Sequence, residues 1–191
     1  MQLGKYFKNR SGEKVTKDMV PEFSEWTFYK THRIKTGKMA VSEISEAPNG
    51  VEIQVDNGIY EFYIQGVAFG YDRRIARVRF LKQGSTPVLG EKIGETYSDL
   101  AQNSFYEPGP LADFINEESE KYYDWIEDIT FDFEIFHVSI HEKKDDVKFY
   151  RFESGFGDGV FDVYKLEENG STVGFEIEFI KDDEPYPFLD N

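Results

Sequence analysis

The stretch VFDVYKLEENGSTVGFEIEFI, residues 160–180, decides the fold class of this chain. Apolar and polar side chains alternate on both sides of its centre. A period of two is typical of a β-strand that packs one face on a core and turns the other to water. The Asn169-Gly170 pair between the two halves tolerates positive φ and favours a tight turn. The stretch therefore predicts two antiparallel strands, residues 160–166 and 173–180.

Alternation with the same period recurs upstream. Residues 51–55 and 60–64 each place three apolar side chains on one face, and Asn57-Gly58 lies between them. This dipeptide is a strong signal for a two-residue hairpin, so we expect these two strands to pair with each other. Further strands are predicted over residues 26–34, 74–81, 131–140 and 147–152.

One segment, which follows Pro108, breaks the β pattern. Its apolar residues recur at helical spacing, and its charged residues lie mostly on the other faces. This pattern predicts one amphipathic helix of about four turns that packs against a sheet. The apolar stripe consists of Leu111, Phe114, Ile115, Tyr122, Trp125 and Ile126.

Together these patterns predict a mainly β (β-rich α+β) domain, an antiparallel sandwich or a strongly bent sheet with one amphipathic helix packed on it. We place this domain at residues 25–180. A polar, basic-leaning arm or subdomain at residues 1–24 precedes it, and an acidic tail at residues 181–191 follows it. A chain of 191 residues buries about 70% of its unfolded surface, which is enough for one sizeable core.

The composition excludes several classes of protein. The chain has no cysteine, so disulfides and zinc-thiolate sites are ruled out. No apolar run reaches the roughly 20 residues that a membrane-spanning helix needs, and residues 1–8 lack the apolar core of a signal peptide. We therefore expect a soluble cytoplasmic protein with no membrane partner.

The charge of the chain is large and unevenly distributed. The formal net charge is −15, yet residues 1–40 carry nine Lys or Arg against four Asp or Glu, so the remainder carries −20. A field of this sign repels nucleic acid, which excludes it as an expected partner, and speeds encounter with basic proteins. The alternative is that the acidic surface serves only solubility.

The motif SGFGDG, residues 154–159, is the best candidate for a shaped site. Three glycines in five residues suit a backbone that turns tightly or approaches another group closely. The motif predicts an anion-binding nest, a carboxylate site at Asp158, or a structural loop in which Asp158 bonds its own backbone. It lacks the Lys-Ser/Thr ending of a P-loop and the carboxylate spacing of a calcium loop. Its candidate site residues are Ser154, Gly155, Gly157, Asp158 and Gly159.

The same motif carries a family resemblance. SGFGDGVFDVY, residues 154–164, and GFEIEF, residues 174–179, resemble the end of domain-of-unknown-function family 4241. Residues 57–62, residues 74–79 and the region of Asp99 resemble earlier blocks of that family. The resemblance implies a bacterial origin and a fold expectation without a mechanism, and it makes Asp99 a further candidate site residue.

Four of the seven arginines, Arg73, Arg74, Arg77 and Arg79, lie within seven residues of a predicted strand. On an unbroken strand Arg74 faces away, and the other three share one face with Ile75. Such a row can hold carboxylates or phosphates by two-point contacts, which makes Arg73, Arg77 and Arg79 candidate binding residues. The alternative is that they pair with the chain's own Asp and Glu residues on neighbouring strands.

The histidines predict no metal site. His137 and His141 lie on one predicted strand, about 13 Å apart, which is too far for both to bind one ion. The chain contains neither a Gly-x-Ser-x-Gly elbow nor a His-Glu-x-x-His motif. We expect no metal and no cofactor.

Three hypotheses for function follow, in this order. The first is an interaction protein, most concretely an immunity or antitoxin-type protein that neutralises a basic toxin. The second is an enzyme or binding protein for a small anionic or sugar ligand, which predicts a pocket where Arg77 or Arg79 meets Asp158. The third is a structural or assembly protein, which predicts a lasting homo-oligomer. Surplus aromatic residues and strong acidity favour the first, and we lean towards a protein that is not an enzyme.

Overall fold

A computed structural model describes residues 21–70, 72–131, 138–144 and 147–182. These residues form two antiparallel sheets that pack face to face, with two α-helices on the outer side of the smaller sheet. The predicted β-rich α+β sandwich is confirmed. The strands are β1 (Glu22–Phe23), β2 (Thr27–Ile34), β3 (Lys38–Ser42), β4 (Val51–Gln54), β5 (Gly58–Phe69), β6 (Asp72–Lys82), β7 (Val88–Ser98), β8 (Gln102–Tyr106), β9 (Val138–Lys144), β10 (Val147–Glu153), β11 (Gly159–Glu168) and β12 (Ser171–Glu178), and the helices are α1 (Pro108–Glu117) and α2 (Ser119–Phe131).

Aromatic rings fill the space between the two sheets. The larger sheet has the strand order β1-β5-β6-β12-β11-β7, with β2 also paired to β5. Phe62, Phe80 and Phe175 lie opposite one another on its three central strands. Phe105 of the smaller sheet packs on them, with its ring centroid 5.4 Å from that of Phe62 and 4.7 Å from that of Phe175. Because each buried ring contributes about 1.5–3 kcal/mol, this layer holds the sheets together.

The helices cover the other face of the smaller sheet, whose strand order is β4-β3-β8-β10-β9. Leu111, Phe114 and Trp125 of the predicted stripe are buried there, and the Trp125 ring lies 5.3 Å from that of Phe149 in β10. The prediction that the stripe packs against a sheet is thus confirmed.

The single predicted helix is in fact two. It divides at Glu118, whose backbone leaves the helical region and whose N–H donates to the Phe114 carbonyl. Negative charge on Glu117 and Glu118 opposes the dipole at the C-terminus of α1, whereas Glu120 in the first turn of α2 is favourable. The acidic run therefore disfavours continuation of α1 and suits the start of α2.

The predicted hairpin at Asn57-Gly58 is wrong. β4 pairs with β3 in the smaller sheet, whereas β5 pairs with β1, β2 and β6 in the larger one. Ile53 and Phe62 nevertheless bury their side chains in one core. When two strands lie in opposite sheets of a sandwich, the apolar face of each is buried in the core between the sheets. The Asn57-Gly58 pair therefore lies where the chain crosses from the smaller sheet to the larger one.

The strand pair predicted from residues 160–180 is confirmed. β11 and β12 pair antiparallel, and Asn169 and Gly170 have φ of 51° and 79°. The predicted strand at residues 131–140 is described only from Val138, because Phe131 ends α2 and residues 132–137, with His137, lie outside the described residues.

The described part of the chain contains no helix long and apolar enough to span a bilayer. Of the predicted N-terminal arm, the structure describes residues 21–24, where Glu22–Phe23 forms β1 against β5. Of the predicted tail it describes residues 181–182, and the remaining arm and tail residues lie outside the described ranges.

Candidate functional site

Two connections that carry candidate residues meet at one end of the sandwich: the turn from β7 to β8, which contains Asp99, and the loop from β10 to β11, which contains the glycine motif. The Ser154 N–H donates to the Ala101 carbonyl at 3.1 Å. In return, the Ala101 N–H donates to Oδ1 of Asp158 at 3.1 Å. The fold thus brings the Asp99 turn and the glycine motif together.

A buried glutamate fixes the Asp99 turn. Glu43 is 3% exposed, and its Oε2 accepts the backbone N–H groups of Asp99 and Leu100, the latter at 2.8 Å. Its Oε1 accepts the Ser45 hydroxyl at 2.6 Å. One carboxyl group therefore satisfies two adjacent backbone donors.

The glycine motif is held from within. Ser154 is fully buried, and its hydroxyl lies 2.8 Å from the Gly157 carbonyl and 3.1 Å from Oγ of Ser98. The Gly157 N–H donates to the Ser154 carbonyl at 3.0 Å, so this amide is already used. The arrangement favours a structural loop over an anion-binding nest.

The prediction that Asp158 bonds to the backbone of its own loop is wrong, because its carboxylate accepts a backbone N–H of another turn. The carboxylate reaches across to Ala101 of the neighbouring turn, a residue with φ of 55° that is uncommon outside glycine. Asp158 thereby ties the glycine motif to the Asp99 turn.

Two features of the Gly155 position require glycine: the backbone conformation and the lack of room for a side chain. Its φ is +61°, and a Cβ there would lie 2.8 Å from Cβ of Phe179 and 3.0 Å from Cγ1 of Ile180. Gly159 begins β11 opposite Ser98, where the strand pairing of this corner starts.

Three apolar side chains are exposed beside these connections. Tyr97 and Val160 are cross-strand partners that are 52% and 60% exposed, and Leu100 is 38% exposed. The carboxylates of Asp99 and Asp158 lie in exposed positions beside them. We call these five residues the Tyr97 patch.

The carboxylates near Tyr97 change the pKa of its phenol. Its hydrogen bond with Asp99 raises the pKa of the Tyr97 phenol, and the charges of Glu43 and Asp158 add to the rise. Among the described residues, neither Asp99 nor Asp158 has an ion-pair partner. No group of three or more His, Asp or Glu within the described ranges could hold a metal ion.

The candidate arginines lie elsewhere, and a bulge divides the predicted row. The β5–β6 register shifts between Ile75 and Arg77, and both Ile75 and Ala76 are buried. The side chains of Arg77 and Arg79 therefore lie on the outer face of the larger sheet, so the prediction that they share a face with Ile75 is wrong. Arg73 precedes the bulge and is half-buried.

Arg77 and Arg79 pair with carboxylates of β12, as the alternative reading of the arginine row predicted. Nη2 of Arg77 lies 2.7 Å from Oε1 of Glu178, and Nε of Arg79 lies 3.0 Å from Oε2 of Glu176. The Arg79 guanidinium also lies 3.7 Å from the centre of the Trp26 ring. Both arginines thus bind within their own chain.

The enzyme hypothesis predicted that Arg77 or Arg79 meets Asp158 in one pocket. The described contacts are separate, because Asp158 bonds to the β7–β8 turn while both arginines bond to β12. The structure therefore joins Asp99 to the glycine motif and leaves the arginines apart from them.

We found no family model, no curated protein and no solved structure that matches this chain. Function is therefore inferred from the geometry of the site.

Sequence reasoning missed Glu43, Tyr97, Leu100 and Val160. Glu43 lies 56 residues before Asp99, and no local pattern connects them. Tyr97 and Val160 alternate like ordinary strand residues, so only the register of β7 with β11 reveals that they form an exposed pair. The available signal was the surplus of aromatic residues over what one core requires.

Proposed function

We propose that this protein acts by binding a basic protein, and that the Tyr97 patch is part of the contact surface. The composition of the patch carries the proposal: an exposed Tyr, Val and Leu stand beside two carboxylates that have no ion-pair partner among the described residues. Tyrosine is enriched at the energetic centres of protein interfaces, and a carboxylate beside it favours a Lys or Arg of the partner.

The rigidity of the corner supports the same proposal. Glu43, Ser154 and Asp158 hold both connections in one arrangement by hydrogen bonds to backbone groups. A surface that is already ordered loses little conformational entropy on binding, so more of its contact energy contributes to affinity.

The net charge supports a basic partner. At −15, the chain attracts positively charged proteins over long distances, which raises the association rate. In its most concrete form, the proposal is an immunity or antitoxin-type protein of the bacterial cytoplasm that neutralises a basic toxin, such as a nuclease. A protein that binds nucleic acid has a basic surface, which an acidic patch complements.

The test is capture of a partner by the tagged full chain from a lysate of its own organism, at low and high salt. We expect one basic protein to be retained near 0.01 M salt, where charges act over about 30 Å, and released near 1 M salt, where they act over about 3 Å. Tyr97→Ala should weaken that complex by about 30-fold or more, the effect of losing an interface hot spot.

Phe28→Ala is the matched control, because Phe28 is 51% exposed and lies on β2, which pairs with β5 on the side of the larger sheet opposite β7. It should bind the partner like the wild type. Co-expression with the captured protein then tests whether cells are protected from it. Capture of no basic protein at either salt, or equal binding by Tyr97→Ala, refutes the proposal. Capture of a second copy of this chain alone points instead to an assembly role.

A further inference from the structure

A pocket of about 330 Å³ lies between the 3₁₀ helix Ile44–Glu46 and the two α-helices. A volume of this size falls at the lower end of the range for ligand pockets in proteins. Its lining is about equally apolar and polar, and the apolar part is formed by Ala47, Pro48, Ala112, Ile115, Tyr123 and Ile126.

The polar groups of the wall are of two kinds. The Tyr122 hydroxyl donates to the Ala47 carbonyl at 2.7 Å, and the Ser45 hydroxyl donates to Glu43, so both are occupied. The side-chain amides of Asn49 and Asn116 line the pocket without a hydrogen bond to another described residue. A bound group therefore meets apolar side chains on one part of the wall and, beside them, two amides that are available for its own polar backbone.

The surface around the pocket is strongly acidic. Residues 108–131 carry seven Asp or Glu against one Lys, and that residue, Lys121, forms an ion pair with Glu118. The pocket wall itself has no charged side chain. An anionic ligand is disfavoured here, whereas an apolar group flanked by cations matches both the wall and its surroundings.

The pocket adjoins the Tyr97 patch through one carboxylate. Ser45 lines the pocket and bonds to Oε1 of Glu43, while Leu100 of the patch bonds to Oε2 of the same residue. Glu43 thus bonds to one residue of each feature.

We propose that this pocket receives a large apolar side chain of the basic partner, and that Lys or Arg residues beside that side chain meet the carboxylates of α1 and α2. The inference rests on the proposed function and extends its contact surface from the Tyr97 patch across Glu43. An apolar anchor in a pocket, surrounded by charge pairs, is a common arrangement at the centre of protein interfaces.

The probe is a peptide, acetyl-Lys-Arg-Phe-Lys-Arg-amide, titrated into the full chain and followed by NMR, with the same peptide carrying Ala in place of Phe as reference. We expect the Phe peptide to bind about tenfold or more tightly, because burying its ring adds apolar contact in the pocket. The amide signals of Ala112, Asn116 and Tyr123 should shift.

Ala112→Leu fills the pocket and should remove the preference for Phe. Ser119→Leu adds the same apolar bulk to the helices outside the pocket and should leave the preference unchanged. Tyr123→Ala removes a wall residue that is 65% exposed, and so should reduce the preference while the melting temperature stays near that of the wild type.

Equal affinity for the two peptides, or a preference that survives both Ala112→Leu and Tyr123→Ala, overturns the pocket inference. In that case partner capture through the Tyr97 patch still stands. Loss of partner capture with an intact, pocket-dependent preference for Phe refutes the Tyr97 patch instead. Binding that does not weaken with salt overturns the role of the surrounding carboxylates.

Discussion

The β6–β12 centre of the larger sheet's outer face and the Tyr97 patch at its β11–β7 edge use similar residues in opposite ways. On the first, which we call the arginine face, Arg77 and Arg79 pair with Glu178 and Glu176. On the second, Asp99 and Asp158 have no such partner in the described part of the chain. The aromatic rings of the two regions differ in the same way: Trp26 already has a partner, because it stacks on Arg79, whereas Tyr97 is half exposed to solvent.

This difference separates stability from binding. Charges that pair with one another on adjacent strands, partly shielded from water, contribute to the folded state and offer little to a partner. Carboxylates that are fixed in position but lack an opposite charge gain most when a partner supplies it. We therefore expect substitutions on the arginine face to change stability, and substitutions of the exposed side chains of the Tyr97 patch to change binding.

The largest expected effect tests whether the corner beneath the Tyr97 patch is rigidly built. Gly155→Ala places a Cβ 2.8 Å from Phe179 in a left-handed backbone conformation. We expect the free energy of unfolding to fall by about 3 kcal/mol, the sum of conformational strain and overpacking. In a chain of this size that corresponds to about 6–12 °C in melting temperature.

Gly170→Ala is the matched control for Gly155→Ala. Its φ is +79°, but nothing lies within 4 Å of the added Cβ, so it should cost only the conformational strain, about 1 kcal/mol. If the two variants melt alike, Gly155 is not closely packed and the corner is less rigid than the contacts indicate.

The next effect concerns the arginine face. Arg79→Ala leaves the carboxylate of Glu176, which is only 5% exposed, without its charge partner, and it removes the stacking on Trp26. We expect a loss of about 2 kcal/mol, less than for a fully buried pair because the Arg79 side chain is partly exposed. Chemical denaturation measures it, and Arg79→Ala should bind the partner like the wild type.

The stability difference between Arg79→Ala and wild type should also depend on pH, and the pKa of Glu176 determines in which direction. Burial raises the pKa of Glu176, and Arg79 opposes the rise, so removal of Arg79 should raise it further. A carboxyl with a raised pKa in the folded state costs stability while ionised, and this cost disappears as pH falls through that pKa. The difference in the free energy of unfolding between Arg79→Ala and wild type should therefore narrow as the pH is lowered through the raised pKa of Glu176. A constant difference contradicts the assignment to Glu176.

Much of the fold could be predicted from local pattern because its strands alternate cleanly. β11 and β12 are recognisable from their own residues and from the turn at Asn169-Gly170. The pairing partner of β4 was not predictable in this way, since the Asn57-Gly58 signal concerns only neighbouring residues while the core decides which sheet each strand joins. Tertiary packing overrides a local turn preference when it buries two apolar faces.

The site was less predictable for a related reason. The glycine motif and Asp99 were visible as sequence features, but Glu43, which orients the turn, is far away in sequence. The arginine row was visible as well, yet one extra residue at Ala76 reversed the face that the pattern assigned. A bulge changes the parity of every residue beyond it, and no composition signal marks its position.

The smallest expected effect on stability is that of Asp158→Asn. This substitution removes the charge of a Tyr97 patch residue and keeps its hydrogen bond, so it tests the two roles of Asp158 separately. Asp158→Asn keeps an oxygen that can accept the Ala101 N–H, so the free energy of unfolding should change by less than about 0.5 kcal/mol. Asp158→Ala loses the acceptor and should cost about 1 kcal/mol.

Binding should follow the charge and not the hydrogen bond. Both variants remove the same negative charge, so both should slow association with the basic partner at low salt, and the difference from wild type should vanish at high salt. If Asp158→Asn binds like the wild type at every salt concentration while Asp158→Ala does not, Asp158 serves the loop alone. The Tyr97 patch would then have only Asp99 to meet a cation, and the contrast with the arginine face would rest on that residue.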